Sequence, residues 1–307
     1  MGARGAGQRA AALPKRVCGV GELADYDTFL LDQFGVMHDG RTAYAHALHA
    51  VEQLRARGKS LVVLSNSGRR AAETLSKLGR LGFDVTHFSG AVTSGETTHE
   101  ALSTRREPWF ARLGRRCLNL NWADRGAAAL DVDLYGIELV QSVADADFIL
   151  AHGMEAIGGA TPKRVTLDDL QSLLRQAATR GLPLIIANPD VVTVDTTHLV
   201  PMPGQLGVWY SHMAGHGDIV LMGKPDRRIY DAASLLVGPR PGRILAVGDS
   251  LTHDIKGAST AGIDSLFIVS GIHANELMPW SDDKLVALAQ EHCDGRLPTY
   301  VASDFAW

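Results

Sequence analysis

Cysteine is scarce in this chain: Cys18, Cys117 and Cys293 are the only three among 307 residues. An odd, widely spaced set excludes a disulfide framework and fits a reducing, cytoplasmic setting. No CxxC or Cys/His spacing offers a zinc site, and the three read as buried structural residues. An excess of positive charge is also lacking. The formal net charge is −4, so there is no electrostatic footprint for nucleic acid or an acidic membrane surface. No run approaches the roughly 20 apolar residues of a membrane span. There is no internal repeat, and no low-complexity segment after residue 16. The first sixteen residues, MGARGAGQRAAALPKR, hold four basic and no acidic side chains. They lack the apolar stretch of a secretory signal. Arg/Ala-rich, acid-free starts resemble organelle transit peptides, and a flexible tail is the plainer reading.

The chain as a whole has the composition of a soluble globular protein, 46% hydrophobic and 21% charged, and is long enough for one large domain or two smaller ones. Strands and helices alternate almost throughout, which predicts a mostly parallel sheet with helices on both faces. The apolar run Phe29-Leu30-Leu31 reads as a buried strand that ends at Asp32, with Gly35 just beyond. A helix is expected over 44–58, a strand over 61–64, a helix over 70–81 and a short strand over 86–88. Another helix starts near Thr93-Ser94-Gly95-Glu96. From about Arg105 the pattern restarts, as in an inserted domain, with strands at 117–120, 146–150 and 183–187 and an amphipathic helix at 167–180. Beyond Pro203-Gly204 the first domain resumes, with strands at 219–222, 244–247 and 265–269 and a last helix at 283–292. The expected organisation is a tail over 1–16, a core over 17–105 and 204–307, and an inserted domain over 106–203.

Four strand ends carry polar residues: Asp32, Ser65, Lys224 and Asp249, with Asp254 just beyond the last. In an open α/β sheet the carboxyl ends of the strands line one edge, so such groups can converge. Two or three carboxylates suit a hard cation such as Mg²⁺. A lysine and a hydroxyl suit a phosphate, and a carboxylate beside both can attack phosphorus.

The ordering resembles the haloacid dehalogenase superfamily, closest to class IIA, its para-nitrophenylphosphatase-like and sugar-phosphatase-like branch. The family's Asp-x-Asp-Gly-Val stands here as Asp32-Gln33-Phe34-Gly35-Val36. Its strand ending Thr-Asn-Asn-Ser stands as Leu64-Ser65-Asn66-Ser67. Its Gly-Lys-Pro with a following Tyr is Gly223-Lys224-Pro225 and Tyr230. Its Gly-Asp-x-x-x-x-Asp-Ile-x-Gly-Ala-x-x-Ala-Gly matches Gly248 to Gly262 almost throughout, and Ala187-Asn188-Pro189-Asp190 and Thr93-Ser94-Gly95 match two further class-specific stretches. The resemblance implies a Rossmann-like core with an α/β cap of the C2 type inserted after the third core strand. It implies a Mg²⁺-dependent phosphohydrolase acting on a small phosphorylated metabolite, and a homodimer. Asp32 would be the nucleophile and a metal ligand, the Phe34 carbonyl a second and Asp249 a third, with Asp254 reaching the metal through water or supporting its ligands. Ser65 and Lys224 would hold the phosphoryl oxygens, with Asn66 nearby and Asn188 approaching substrate from the cap hinge.

One position departs from the family. The second Asp of the first motif, which protonates the leaving group and then activates water, is Phe34. General acid–base catalysis is typically worth about 10²–10⁴-fold, so its loss biases the chemistry toward good leaving groups such as aryl or acyl phosphates. Three readings compete. His38, Asp39 or His253 takes over the proton; the reaction does without it, as in dehalogenases, against which Asp249 and Asp254 argue; or the protein binds metal and a phosphorylated ligand without turnover.

Overall fold

A computed structural model gives the structure of the protein over residues 13–123, 130–159, 162–195, 198–215 and 217–307. The chain divides into two compact units, the first made of residues up to Val62, Leu81–Ser89 and Val237–Trp307, the second of Val63–Arg80 and Gly90–Leu236. Of the expected tail, residues 1–12 lie outside the described residues, and Lys15–Arg16 form a strand.

In the first unit a sheet runs in the order Lys15–Arg16, Tyr300–Ala302, Asp264–Ile268, Ile244–Gly248, Thr28–Leu31, and then the start of Ser60–Ser65. The first five are parallel. Thr28–Leu31 is buried along its whole length, as a strand covered on both faces must be, which is why it reads as an unbroken apolar run. Register then places the site. Val247 is level with Leu31, and Gly248 is level with Phe267. Asp32, Asp249 and the segment after Ile268 therefore leave the sheet at the same end. Helix Ala45–Ala56 turns Ala47, Ala50, Val51 and Leu54 inward and stops at Gly58, whose φ of +70° favours glycine. Helix Asp282–His292 starts on Ser281, whose hydroxyl accepts the Lys284 N–H. It packs Leu285 and Ala289 with Leu251, Phe267 and Leu277.

The second unit holds another sheet, ordered Ile219–Leu221, Leu184–Ile186, Phe148–Ala151, Arg116–Asn121, Ala156–Ile157, Lys163–Arg164, with Glu138–Val140 also on Arg116–Asn121. The first four strands are parallel, and Ala156–Ile157 and Lys163–Arg164 are antiparallel to their neighbours. Alternate residues serve opposite faces. Leu184 and Ile186 meet helix Leu167–Arg180 through Leu170, Leu173 and Leu174, while Ile185 joins Leu102, Phe110 and Leu150. Thr166 starts that helix with a capping box to Asp169. The end of Ser60–Ser65 neighbours Gly90–Thr93, and Thr93 caps helix Ser94–Thr104 by accepting the Glu96 N–H at 2.9 Å. The protein is thus an α/β structure with a mainly parallel core sheet and a second α/β sheet drawn from the chain between Gly90–Thr93 and Ile244–Gly248.

Three details differ from the sequence reading. The segment read as a strand at 86–88 is a 3₁₀ turn, Val85–His87, because the Asp84 carboxylate accepts the Thr86 N–H and curls the chain; the strand is Gly90–Thr93. Strand Ile219–Leu221, placed with the resumed first domain, pairs with Leu184–Ile186. Cys18 is exposed, in the loop after the Lys15–Arg16 edge strand, whereas Cys117 and Cys293 are buried. No helix among the described residues is long and apolar enough to cross a membrane.

Candidate active site

The first unit brings Asp32, Asp249 and Asp254 together. All three are buried, and one carboxylate oxygen of each lies within 4.8 Å of the others. Asp32 is fixed by its backbone N–H, donated to Val247 O at 2.9 Å. The chain then turns sharply: Gln33 O accepts the N–H groups of Val36, Met37 and His38 at 3.4, 2.8 and 3.2 Å. Gly35, at φ +80°, lies where a Cβ would overlap the Asp249 carboxylate, and Gly271 faces the same group from the other loop. The Ile272 N–H donates to Asp249 Oδ2 at 2.8 Å. Asp254 sits in the turn Leu251–Ile255, its Oδ2 accepting the Ser250 N–H at 3.1 Å. A Cβ at Gly248 would overlap its carboxylate. Two glycines around one acid and a third beside another are what close packing of buried carboxylates requires.

Three close, buried carboxylates fit a hard divalent cation, which prefers oxygen ligands and keeps several waters. A cation placed among them would offset the repulsion of three converging negative charges.

The Phe34 side chain is 41% exposed and lies over Gly40, where a Cβ would come within 3.0 Å of its ring. Its ring meets that of His38 edge-on, with centroids 6.2 Å apart. His38 is buried, and its Nδ1 accepts the Gly40 N–H at 2.9 Å, so the neutral ring carries its proton on Nε2. Asp39 is a turn residue: its Oδ1 accepts the N–H groups of Arg41 and Thr42 at 2.8 and 2.7 Å. Hydrogen bonds from the Thr42 and Arg41 backbone hold its carboxyl below the usual carboxylate range. An acid so held is a poor proton donor near neutrality, which disfavours Asp39 as the substitute for the missing Asp.

The second unit brings Ser65, Asn66 and Lys224 into one buried neighbourhood. Asn66 binds the Lys224 backbone on both sides: its Oδ1 accepts the Lys224 N–H at 2.7 Å and its Nδ2 donates to Lys224 O at 3.2 Å. The same Nδ2 donates to Asp190 Oδ1 at 2.8 Å. The Ser65 hydroxyl accepts the Ser67 N–H at 3.2 Å. Gly223, at φ +121°, passes where a Cβ would overlap Ser94 Oγ. Asn188 forms an Asx turn, its Oδ1 accepting the Asp190 N–H at 3.0 Å. Arg70 makes a paired contact to Glu96 at 2.8 and 2.9 Å, so its guanidinium serves the helix junction.

Sequence reasoning missed Gly271 and Ile272, which fix Asp249, and placed Asp190 in a family stretch without its contact to Asn66. Gly271 stands shortly after strand Asp264–Ile268, a signal that was available. The contact from Asp190 to Asn66 spans 124 residues and has no local signature.

Profiles described as haloacid dehalogenase-like hydrolase match residues 29–124 and 92–262, and one described as HAD-hydrolase-like matches residues 221–306. The chain belongs to the haloacid dehalogenase-like hydrolases. It is 29% identical over 263 residues to the glycerol-3-phosphate phosphatase of Homo sapiens, covering 81% of each chain. Among solved structures it resembles a haloacid dehalogenase-like hydrolase from Brucella suis, at TM-score 0.71 and 27% identity, over 96% of this chain and 100% of that one. It also resembles the glycerol phosphate phosphatase of Mycobacterium tuberculosis in complex with calcium, at TM-score 0.62 and 25% identity, over 91% of this chain and 74% of that one.

Proposed function

We propose that this chain is a Mg²⁺-dependent phosphohydrolase acting on a small phosphorylated metabolite through an aspartyl phosphate at Asp32. The observation that carries the reading is the buried set Asp32, Asp249 and Asp254, with three glycines where a Cβ would overlap the carboxylates of Asp249 and Asp254. The named activities of the relatives support it.

Mg²⁺, held by Asp32, Asp249, Asp254 and the Phe34 carbonyl, would neutralise charge on the phosphoryl group. An Asp32 oxygen attacks phosphorus, and the bond from phosphorus to the leaving oxygen breaks. Lys224 and Ser65 hold the phosphoryl oxygens, and Lys224 screens the repulsion between carboxylate and phosphate. Asn66 positions Lys224 through its backbone, and Asn188 shapes the loop that carries Asp190. Water then attacks the aspartyl phosphate, releasing inorganic phosphate and a proton and restoring the carboxylate. With Phe34 in place of the acid, the leaving group departs as an anion or takes its proton from solvent. Aryl and acyl phosphates are therefore turned over faster than the alkyl phosphates for which the relatives are named.

The test is phosphate release from para-nitrophenyl phosphate, acetyl phosphate, glycerol 3-phosphate and a panel of sugar phosphates, with Mg²⁺ and with chelator, beside Asp32→Asn. Metal-dependent release that disappears in Asp32→Asn is the expected result. A second reading rests on Phe34 alone: a binder of metal and phosphorylated ligand without turnover. Mg²⁺ binding with no release from any substrate would establish it. Sedimentation of the same protein tests the homodimer.

A further inference from the structure

The first unit holds a second group of ligand-type side chains that the proposed reaction does not use. His273 precedes the short helix Ala274–Leu277, Glu276 lies within that helix, and His292 ends helix Asp282–His292. One donor atom of each lies within 4.8 Å of the other two. His273 Nδ1 is 2.9 Å from Glu276 Oε1, and His292 Nε2 is 3.9 Å from Glu276 Oε2. The two imidazole centroids are 5.1 Å apart with the rings inclined by 47°.

We propose that His273, Glu276 and His292 form a second cation site, one that takes a borderline transition-metal ion of the Zn²⁺ or Co²⁺ kind and not Mg²⁺. Two imidazoles and a carboxylate are a donor set such ions favour, whereas Mg²⁺ seeks oxygen. Ligand atoms about 2.0–2.2 Å from a tetrahedral ion stand roughly 3.3 Å from one another, and the observed 2.9 and 3.9 Å bracket that spacing.

Two further observations point the same way. His292 Nε2 is buried and makes no hydrogen bond with the described residues, an arrangement that calls for an explanation in a native fold. Access is also open from the solvent side: the Glu276 side chain is 48% exposed and that of His292 is 29% exposed. The backbone on either side is held by apolar packing of Leu277, Leu285, Ala289 and Cys293.

The protons can be followed. The Leu251 N–H donates to His273 Nε2 at 3.4 Å, so the neutral ring carries its proton on Nδ1, shared with Glu276. Burial lowers the His273 pKa, against the opposing pull of Glu276, and so favours the neutral ligand form. When a cation takes Nδ1, that proton is exchanged through solvent to Nε2. The bond from Leu251 is given up, and at 3.4 Å it is a weak one.

The test is titration of the full-length protein with Co²⁺ in excess Mg²⁺, read by equilibrium dialysis and by the visible absorption of the bound ion. The variants are His292→Gln, Glu276→Gln and Asp249→Asn, each checked by circular dichroism. Wild type and Asp249→Asn are expected to bind one equivalent, and His292→Gln and Glu276→Gln to bind about tenfold more weakly or not at all. Glu276 is half exposed, so its variant keeps the test open if His292→Gln fails to fold. Binding unchanged in both of these variants, binding lost only in Asp249→Asn, or no Co²⁺ bound by wild type would each overturn the proposal. All of these readouts are independent of phosphatase activity.

Discussion

The carboxylate of Asp249 is held between two loops by the Ile272 N–H, 2.8 Å from its Oδ2, and by the bare Cα of Gly271 beside it. A methyl group at position 271 has no space that is not already filled by Asp249. Gly271→Ala is expected to move the carboxylate, weaken Mg²⁺ binding by about tenfold or more, and destabilise the fold by about 1–3 kcal/mol through overpacking. Calorimetric titration with Mg²⁺ and a thermal melt measure the two effects separately. Unchanged Mg²⁺ affinity would show that Asp249 is not held for a cation.

Restoring the family residue at position 34 is the direct test of what Phe34 costs. The ring lies over Gly40 and is partly exposed, so Phe34→Asp removes little packing. The variant is expected to raise kcat on glycerol 3-phosphate by about 10²–10⁴-fold, with a much smaller gain on acetyl phosphate, whose leaving group needs no proton. Equal gains on both substrates, or none on either, would contradict the general-acid account.

Asn66 makes three hydrogen bonds, two to the backbone of Lys224 and one to Asp190. Asn66→Ala leaves buried partners unsatisfied and is expected to lower stability by about 2–3 kcal/mol. If Lys224 is the phosphate-binding cation, KM should rise as well. Urea denaturation gives the first quantity and steady-state kinetics the second.

His152 follows strand Phe148–Ala151, and a Cβ on Gly68 would lie 3.5 Å from its Nδ1. Neither ring nitrogen hydrogen-bonds to the described residues, and burial pushes its pKa down to about 4. In the unfolded chain the ring titrates near 6.5. Between these values the unfolded state binds the extra proton, so stability falls as pH drops from about 6.5 to 4, by on the order of 3 kcal/mol. Below pH 4 this group costs nothing further. Denaturant midpoints at pH 7.5 and 4.5 for wild type and His152→Leu check this; the variant should lose less stability on acidification. Parallel losses would mean that His152 is protonated in the native state.

Much of the fold was legible because it is written locally. Helix Leu167–Arg180 could be read residue for residue, since an apolar stripe, a Thr166 cap and a terminal Gly181 all agree. The segment from Gly248 to Gly262 could be read because its two acids stand close in sequence, Asp249 directly after strand Ile244–Gly248 and Asp254 in the turn Leu251–Ile255. The strand misplaced at 86–88 shows the opposite case: a single carboxylate at Asp84 curls the segment into a 3₁₀ turn. The strand Tyr300–Ala302 is three residues long and takes its structure from its neighbours in the sheet. Asp32, Asp249 and Asp254 could be named from sequence because each ends or follows a strand. The glycines and amides that hold them belong to loops that meet only after folding.

The edge of the first sheet has a consequence for association between molecules. Its outermost strand is only Lys15–Arg16, both exposed, laid parallel on Tyr300 and Val301. A strand edge normally offers a row of unpaired N–H and C=O groups to any extended chain that passes. Here the offer is two residues long, and one of its two basic side chains, Arg16, is already paired with Asp282 at 2.7 Å. The border of the sheet thus gives an arriving strand only a two-residue purchase, too short a template for strand addition between molecules.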